Sequence, residues 1–185
     1  MKWSLAIVMT TILAGCVSSS SLASSGQLAN NSKVKSLETP SAVVFSVKEL
    51  QRQDRMKENK QKITLVVKKL LNRVGKTRYV FSGSTPYGWD CSGMVMWAYG
   101  QMGVELEHSA TKQSYAGRRV NQNDRKVGDI VIFGYKGYKS FYHSAIYIGK
   151  GKVVNANRGF GGTYIQHITD FGNSRVVYVR VLETP

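Results

Sequence analysis

Cys91 lies in the segment Tyr87-Gly88-Trp89-Asp90-Cys91-Ser92-Gly93, where an irregular loop meets an apolar stripe of helical spacing. A chain that passes from loop to helix at this point places the thiol in or just before the first helical turn. Unpaired backbone N–H groups and the positive end of the helix dipole favour a thiolate there. The position therefore predicts a nucleophilic cysteine with a lowered pKa. The alternative is a buried core cysteine, which the polar neighbours Asp90 and Ser92 disfavour.

A cysteine nucleophile needs a base, and the chain has three histidines. His143 stands in a predicted strand over residues 141–148, which a glycine-containing turn joins to a predicted strand over residues 152–156. Asn155 in the second strand is a polar residue that could accept the ring N–H of His143 and fix its orientation. The pattern therefore predicts a Cys-His-Asn arrangement of Cys91, His143 and Asn155.

The geometry of this hairpin depends on its register. A three-residue turn places Ile148 opposite Lys152, and it makes His143 and Asn155 diagonal neighbours on one face of the sheet. Asn157 shares that face and lies directly across from His143, so hairpin geometry alone does not choose between the two asparagines.

The other two histidines are weaker candidates. His108 follows the Cys91 helix in a predicted loop, and His167 lies in a later strand, from which it could instead orient His143. The His, Cys, Asp and Glu residues show no metal-ligand spacing, so we expect no zinc site and no cofactor.

The elements around these residues predict an α+β domain. Apolar residues at helical spacing predict a helix over residues 63–74 that Gly75 ends, and residues 104–119 are predicted to be irregular or partly helical. The predicted strands come after the helices, at residues 129–133, 141–148, 152–156, 164–168 and 176–182. This order is typical of helices packed on an antiparallel sheet.

The N-terminus resembles an export signal that ends at a cysteine. Lys2 precedes a mostly apolar segment over residues 3–13, which is too short for a permanent transmembrane helix. Leu13-Ala14-Gly15-Cys16 resembles the bacterial lipobox, which implies removal of residues 1–15 and a lipid on Cys16. A plain cleaved signal is the alternative. With Cys16 lipidated, Cys91 would have no intramolecular disulfide partner, which favours a reactive thiol.

The same resemblance gives a domain organisation and a location. Residues 1–15 are the predicted signal, residues 16–59 the lipidated cysteine and a flexible tether, and residues 60–185 one globular domain. At the end of the tether, the mixed segment over residues 42–60 is predicted to be extended and to pass into helix. By resemblance to Gram-negative sorting, Val17 and Ser18 favour the outer membrane over the inner one. We therefore expect a lipid-anchored protein of the cell envelope, at the periplasmic face of the outer membrane.

The net charge of the chain indicates which classes of partner it could bind. The formal net charge is +15, from 26 Lys and Arg against 11 Asp and Glu. Such a charge implies an anionic partner, which could be nucleic acid, a membrane surface or an acidic wall polymer. An exported protein has no ready access to nucleic acid, so we expect no nucleic-acid partner.

Five motifs follow one another as in the NlpC-type cell-wall cysteine peptidases, a bacterial branch of the papain-like enzymes. They are Tyr79-Val80-Phe81-Ser82-Gly83, Asp90-Cys91-Ser92-Gly93, Val127-Gly128-Asp129-Ile130-Val131-Ile132-Phe133, His143-Ser144-Ala145-Ile146-Tyr147-Ile148-Gly149 and Val154-Asn155-Ala156. The resemblance covers residues 60–182. It implies a papain-like α+β fold in which the nucleophile's helix packs on an antiparallel sheet of about five to six strands.

The resemblance also implies an activity, the hydrolysis of amide bonds in peptidoglycan stem peptides. Cys91 would be the nucleophile, His143 the base and Asn155 the orienting residue, and the Cys91 N–H would contribute to an oxyanion hole. Tyr79, Asp90 and Ser92 match positions that hold the substrate in the family.

The chain departs from the family pattern in two ways. Many members have histidine where this chain has Asn155, although an amide can also orient an imidazole. No separate wall-binding domain is recognisable. Two other functions use the same scaffold: a catalytically silent envelope-binding or exclusion lipoprotein, and an amidase or acyltransferase with the same Cys-His pair.

Overall fold

The computed structural model describes residues 40–185, and Cys16, the predicted signal and the tether up to residue 39 lie outside these residues. The elements in chain order are α1 Pro40–Leu71, β1 Ser84–Thr85, β2 Gly88–Trp89, α2 Cys91–Gly100, α3 Ala110–Gln113, β3 Arg118–Val120, a 3-10 turn Gln122–Asp124, β4 Ile130–Gly134, β5 His143–Gly149, β6 Lys152–Asn157, β7 Gly162–His167, a 3-10 turn Ile168–Phe171 and β8 Arg175–Arg180. Within residues 40–185, no helix combines the length and the hydropathy needed to cross a bilayer.

Six strands form one antiparallel sheet in the order β3-β8-β4-β5-β6-β7, and β1 and β2 form a separate hairpin. The predicted α+β class and antiparallel sheet are confirmed. All five predicted strands are present as β4 to β8, with small shifts at their ends. The edge strand β3 overlaps the end of residues 104–119, which were predicted to be irregular or partly helical. It is short and exposed, so it lacks the apolar alternation that marks a strand.

Both faces of the sheet are packed, because side chains alternate between them along each strand. One face packs against α1 and α2 through Ile130, Ile132, Ile146, Val154, Ala156 and Val179. The other face carries Val131, Phe133, Ala145, Tyr147, Val153 and Tyr178, covered in part by Phe171 and Val176. The central strand β4 is buried along its whole length. This rigid centre supports β5, the strand that carries His143.

Helix α1 differs from the prediction at both ends. It begins at Pro40, so the whole of residues 42–60 is helical where an extended tether passing into helix was predicted. Residues 44–55 are exposed on every side, and packing on the sheet begins only at Ile63. The exposed part has a Pro start, good helix formers and ion pairs one turn apart such as Arg52–Glu49, with atoms 2.9 Å apart. The regular helix ends at Leu71, and turns lead from there to Gly75 at φ 70°.

Candidate active site

Cys91 is the first residue of α2, as the sequence predicts. Asp90 caps this helix, since its carboxylate Oδ1 accepts a hydrogen bond from the Gly93 N–H at 2.7 Å. The first turn lies directly against the preceding loop: a Cβ on Gly93 would be 2.0 Å from the Gly83 carbonyl oxygen. Only glycine allows that approach, which explains why Gly93 follows the nucleophile so closely.

The Asp90 carboxylate is surrounded by donors. Besides the Gly93 N–H, Oδ1 accepts from the Ser92 hydroxyl at 3.1 Å and lies 2.8 Å from Nε2 of His108. Its other oxygen accepts from the Ser82 N–H at 3.0 Å. Asp90 is buried, and these contacts join the start of α2 to the loops on both sides of it. His108, a weak candidate from sequence, therefore touches the residue that precedes the nucleophile.

The Cys91 thiol lies in a less polar environment than the sequence suggested. Burial raises the pKa of Cys91, and this effect outweighs hydrogen bonding from the backbone at Ser144 and Ser92, which lowers it. The nearby Asp90 charge raises the pKa further. The predicted lowering of the Cys91 pKa is therefore wrong. Burial disfavours the charged thiolate and here outweighs the effect of the helix start.

His143 opens strand β5 and is only 9% exposed. Its Nε2 lies 3.1 Å from Oδ1 of Asn155 on the neighbouring strand β6. Burial lowers the pKa of His143 to about 4, and the weaker effect of the Asn155 hydrogen bond raises it. The imidazole is consequently neutral near pH 7 and able to accept a proton.

Asn155 has a fixed orientation. It is fully buried, and its Nδ2 donates to the Tyr164 carbonyl at 3.3 Å and to Oε1 of Gln166 at 3.1 Å. With the amide nitrogen held by two acceptors, Oδ1 faces His143 and accepts a hydrogen bond from the Nε2–H. The Nδ1 of His143 is then the ring nitrogen with the free lone pair.

The register of the β5–β6 hairpin accounts for this pairing. Ile146 faces Val154 and Tyr147 faces Val153, as the predicted register requires. The predicted Ile148–Lys152 pair is wrong, because an irregularity between Tyr147 and Gly149 places Gly149 opposite Lys152. The bulge lies on the turn side of the hairpin, so it leaves the face shared by His143 and Asn155 unchanged.

The other candidate residues have different partners. Asn157 donates to Oε1 of Gln166 at 2.8 Å and accepts from the Phe160 N–H at 3.2 Å. The backbone N–H of His167 donates to Asp170 at 2.8 Å, at the far end of β7. In the part of the chain that the structure describes, the side chain that hydrogen-bonds to the His143 ring is that of Asn155.

Cys91 lies between two surface pockets. One has a volume of about 500 Å³ and is lined by Cys91, His143, Tyr79, Phe81, Tyr135, Tyr142, Asn157, Arg158, Gly159 and Phe171. The other, of about 350 Å³, adjoins Cys91 on the Asp90 side and includes Tyr79, Ser92 and His108. The three residues predicted to hold substrate, Tyr79, Asp90 and Ser92, therefore all border Cys91. A substrate that spans both pockets would pass directly over the thiol.

A protein-family model described as the NlpC/P60 family matches residues 75–180, more than half of the chain. The chain belongs to the NlpC/P60 family. The match includes Cys91, His143 and Asn155 and the whole antiparallel sheet.

Curated relatives within the NlpC/P60 family are much longer than the part they share with this chain. A probable endopeptidase of Mycobacterium tuberculosis is 39% identical over 94 residues, which are 51% of this chain and 23% of that protein. The bifunctional muramidase/DL-endopeptidase CwlT of Bacillus subtilis is 33% identical over 117 residues, 58% of this chain and 35% of CwlT. The chain thus spans no more than 35% of the length of these two relatives.

Solved NlpC/P60 structures share the fold. The NlpC/P60 domain of the peptidoglycan hydrolase SagA superposes with a TM-score of 0.56 at 25% identity, covering 64% of this chain and 98% of that domain. RipD of M. tuberculosis, described as a non-catalytic NlpC/P60 domain protein adapted to peptidoglycan binding, has a TM-score of 0.56 at 19% identity, covering 65% and 98%. RipD shows that this fold also occurs without catalysis, so the function depends on the site residues.

Sequence reasoning missed three residues that shape this NlpC/P60 site. Gln113 is fully buried, and its amide donates to the Ser92 carbonyl and the Glu107 carbonyl, both at 2.9 Å. Gln166 holds the amide of Asn155. Phe171 packs its ring beside that of His143, with centroids 5.2 Å apart. These residues are distant in sequence from the motifs they support and have no spacing that could have identified them.

Proposed function

We propose that this protein is a cysteine peptidase that hydrolyses amide bonds in peptidoglycan stem peptides. The observation that carries the proposal is the placement of Cys91 and His143 in one cleft, with Asn155 fixing the imidazole from 3.1 Å away. This arrangement supplies a nucleophile, a base and an orienting group. The names of the relatives, which include endopeptidases and a DL-endopeptidase, support the peptide substrate.

Acylation would begin from the neutral thiol and the neutral imidazole. His143 Nδ1 accepts the thiol proton as Sγ of Cys91 attacks the carbonyl carbon of the scissile amide. The carbonyl oxygen becomes an oxyanion, which backbone N–H groups at the start of α2, including that of Cys91, stabilise. The imidazolium then donates its proton to the leaving amine nitrogen. The C–N bond breaks and a thioester remains on Cys91.

Deacylation would reverse the roles. His143 takes a proton from a water molecule, whose oxygen attacks the thioester carbonyl. The C–S bond breaks, the product leaves as a carboxylic acid, and the thiolate recovers the proton from the imidazolium. The Asn155 contact keeps the ring in one orientation through both half-reactions, because its own amide is held by two other acceptors.

The cleaved bond would be the one between D-glutamate and the diamino acid, with a crosslink bond as the alternative. The pocket on the Asp90 side, bordered by Tyr79 and Ser92, would hold the short N-terminal part of the stem peptide. Because Asp90 already accepts four hydrogen bonds, an N–H group of the substrate would share or displace its contact with His108. This assignment draws on the description of CwlT as a DL-endopeptidase.

The place of action would be the cell envelope. A lipid on Cys16 would hold the enzyme at the periplasmic face of the outer membrane, where a basic protein meets the wall polymer. The intact mass of the chain expressed in a Gram-negative host tests this: we expect residues 1–15 to be absent and Cys16 to carry acyl chains. A processed chain with an unmodified N-terminus would contradict it.

Digestion of purified peptidoglycan tests the function. Wild type should release products whose masses identify the cleaved bond, and Cys91→Ala should release none while it keeps the wild-type circular dichroism spectrum. Release of intact stem peptides from the glycan would indicate an amidase. Binding to peptidoglycan without any product, from wild type and Cys91→Ala alike, would indicate a silent scaffold protein.

A further inference from the structure

A group of exposed tyrosines lies beside the cleft that contains Cys91. Tyr135 and Tyr138 belong to the loop between β4 and β5, and Tyr142 immediately precedes β5. Their exposed fractions are 63%, 66% and 41%. Tyr135 and Tyr142 also line the cleft with Cys91 and His143, so this tyrosine patch is continuous with it. A cluster of exposed aromatic rings next to a cleft is typical of an interaction surface.

The rings of the tyrosine patch are ordered by contacts with one another. Tyr135 stacks on Tyr142 with centroids 4.6 Å apart and an interplanar angle of 29°. Tyr138 meets Tyr135 edge-on, with centroids 6.3 Å apart. The Tyr142 hydroxyl lies 2.6 Å from the Ser174 hydroxyl, which fixes the ring at the base of the stack.

The loop backbone that carries the patch is also tied down. Arg175 donates to the Lys139 carbonyl at 3.1 Å, and Lys136 donates to the side chain of Asn173. The patch is thus both exposed and preordered, which lowers the entropy that a ligand must overcome when it binds.

We propose that the tyrosine patch binds the glycan strand of peptidoglycan, next to the stem peptide in the cleft; this inference rests on the proposed function. A sugar ring has an apolar C–H face and a polar rim. Tyrosine matches both, because it offers a flat apolar ring and a hydroxyl at its edge. Lys139 adds an exposed donor for hydroxyl and acetyl oxygens. The patch is continuous with the cleft that holds Cys91, which a glycan bonded to a bound peptide would reach and a lipid surface has no reason to adjoin.

The covalent bond between a stem peptide and its glycan strand would let the cleft and the tyrosine patch bind the same molecule. A stem peptide is bonded to its glycan strand at its N-terminal end, and Tyr142 of the patch also lines the pocket on the Asp90 side that would hold this end. A peptide in the cleft would therefore bring sugar rings to the patch. The two contacts then act on one molecule, and the second forms at high effective concentration. Binding energy from the sugar would raise kcat/KM for cleavage of the distant amide bond. The enzyme would therefore prefer stem peptides on glycan to the same peptides free in solution.

The test compares two substrates that contain the same scissile bond. One is a free stem peptide, and the other is the same peptide attached to a short glycan. For wild type we expect kcat/KM to be about tenfold higher on the glycan-linked substrate. Tyr138→Ala should remove most of that preference and leave the rate on the free peptide unchanged, since Tyr138 does not line the cleft. Tyr87→Ala is the matched control: Tyr87 is 90% exposed but lines neither pocket at Cys91, and its loss should change neither rate.

A binding measurement separates this inference from the proposed function. The Cys91→Ala chain should bind glycan strands stripped of peptide, and Tyr138→Ala on that background should weaken binding about tenfold. Equal kcat/KM on both substrates, or equal losses for Tyr87→Ala and Tyr138→Ala, would overturn the glycan site while leaving the peptidase intact. Patch-dependent binding to anionic vesicles and not to stripped glycan would overturn it in favour of a membrane surface. If the wild type cleaves neither substrate, the peptidase proposal fails, and binding to stripped glycan still decides the patch.

Discussion

Asn155 accepts a hydrogen bond from His143 at 3.1 Å while its own amide nitrogen is held by Tyr164 and Gln166. The amide cannot flip without losing both contacts, so it presents its oxygen to the imidazole and selects one ring tautomer. The orientation of the His143 ring is therefore set by the third strand of a β5–β6–β7 unit, even though Cys91 and His143 themselves lie on α2 and β5.

Loss of that contact should slow the reaction without abolishing it. We expect Asn155→Ala to lower kcat/KM by one to three decades, about 1.4–4 kcal/mol, because the Cys-His pair and the oxyanion donors remain. Asn155→His, the residue of many family members, should retain much of the activity. His167→Ala is the matched control and should be near neutral. A larger loss from Asn157→Ala than from Asn155→Ala would mean that another residue orients His143.

On the acid side, kcat/KM should decline at a lower pH than is usual for an enzyme with a histidine base. Because burial lowers the pKa of His143 to about 4, the imidazole remains a base as the pH falls through 6.5. We expect kcat/KM on a free stem peptide to decline only near pH 4. Phe171→Ala exposes the ring to water and should move that decline to higher pH. A wild-type decline centred near pH 6.5 would show that His143 is better solvated than its position indicates.

The same burial should make the fold sensitive to acid. An unfolded histidine takes up a proton near pH 6.5, whereas His143 in the native state resists protonation down to about 4. Stability from this group is therefore fully present above pH 6.5 and is lost as the pH falls toward 4, by about 3 kcal/mol. Urea unfolding of wild type and His143→Gln from pH 7 to pH 4 measures the difference. Parallel stability curves for the two proteins would refute it.

Alkylation of Cys91 should be slow at neutral pH. Burial and the Asp90 charge both raise the pKa of the thiol, so the reaction with iodoacetamide should accelerate as the pH rises past 9. Asp90→Asn, which keeps a good helix cap, should shift this rise to lower pH by removing the negative charge. Fast labelling that is already constant below pH 7 would instead indicate a preformed thiolate-imidazolium pair.

Asp90 should matter to stability as well as to the site. We expect Asp90→Ala to lower the free energy of unfolding by about 2–4 kcal/mol, because it removes a helix cap and leaves buried donors unpaired. Ser92→Ala removes one of the same contacts and should have an effect of about 1 kcal/mol. Urea denaturation of both variants gives the comparison. Similar losses would mean that the carboxylate does not organise the loops.

Much of the site followed from local patterns. The loop-to-helix transition placed Cys91 at the start of α2, and strand parity placed His143 and Asn155 on one face. Parity survives the irregularity at Tyr147–Gly149 because the face of a side chain depends on the pairing beside it and not on the turn.

Local sequence patterns could not predict how distant segments of the chain bury the site residues. The pKa of the Cys91 thiol is raised mainly by burial, which depends on how the rest of the domain packs around the thiol, so a rule based on the helix start alone predicted the wrong direction. The contact between His108 and Asp90 likewise depends on how one loop folds over α2. The exposed part of α1 was missed for the opposite reason, since a helix with no buried face leaves no apolar stripe to detect.

The solvent-exposed start of α1 has a mechanical consequence. Residues 40–58 rise about 1.5 Å each, so they form a stiff spacer about 28 Å long ahead of Asn59, whose amide donates to the Glu183 carbonyl. A flexible linker sets only an average distance between its ends, whereas a helix also sets a direction and a phase. Removal of one turn would draw Cys91 about 5 Å nearer to whatever holds residue 40. The length of α1 therefore sets how far the thiol stands from residue 40.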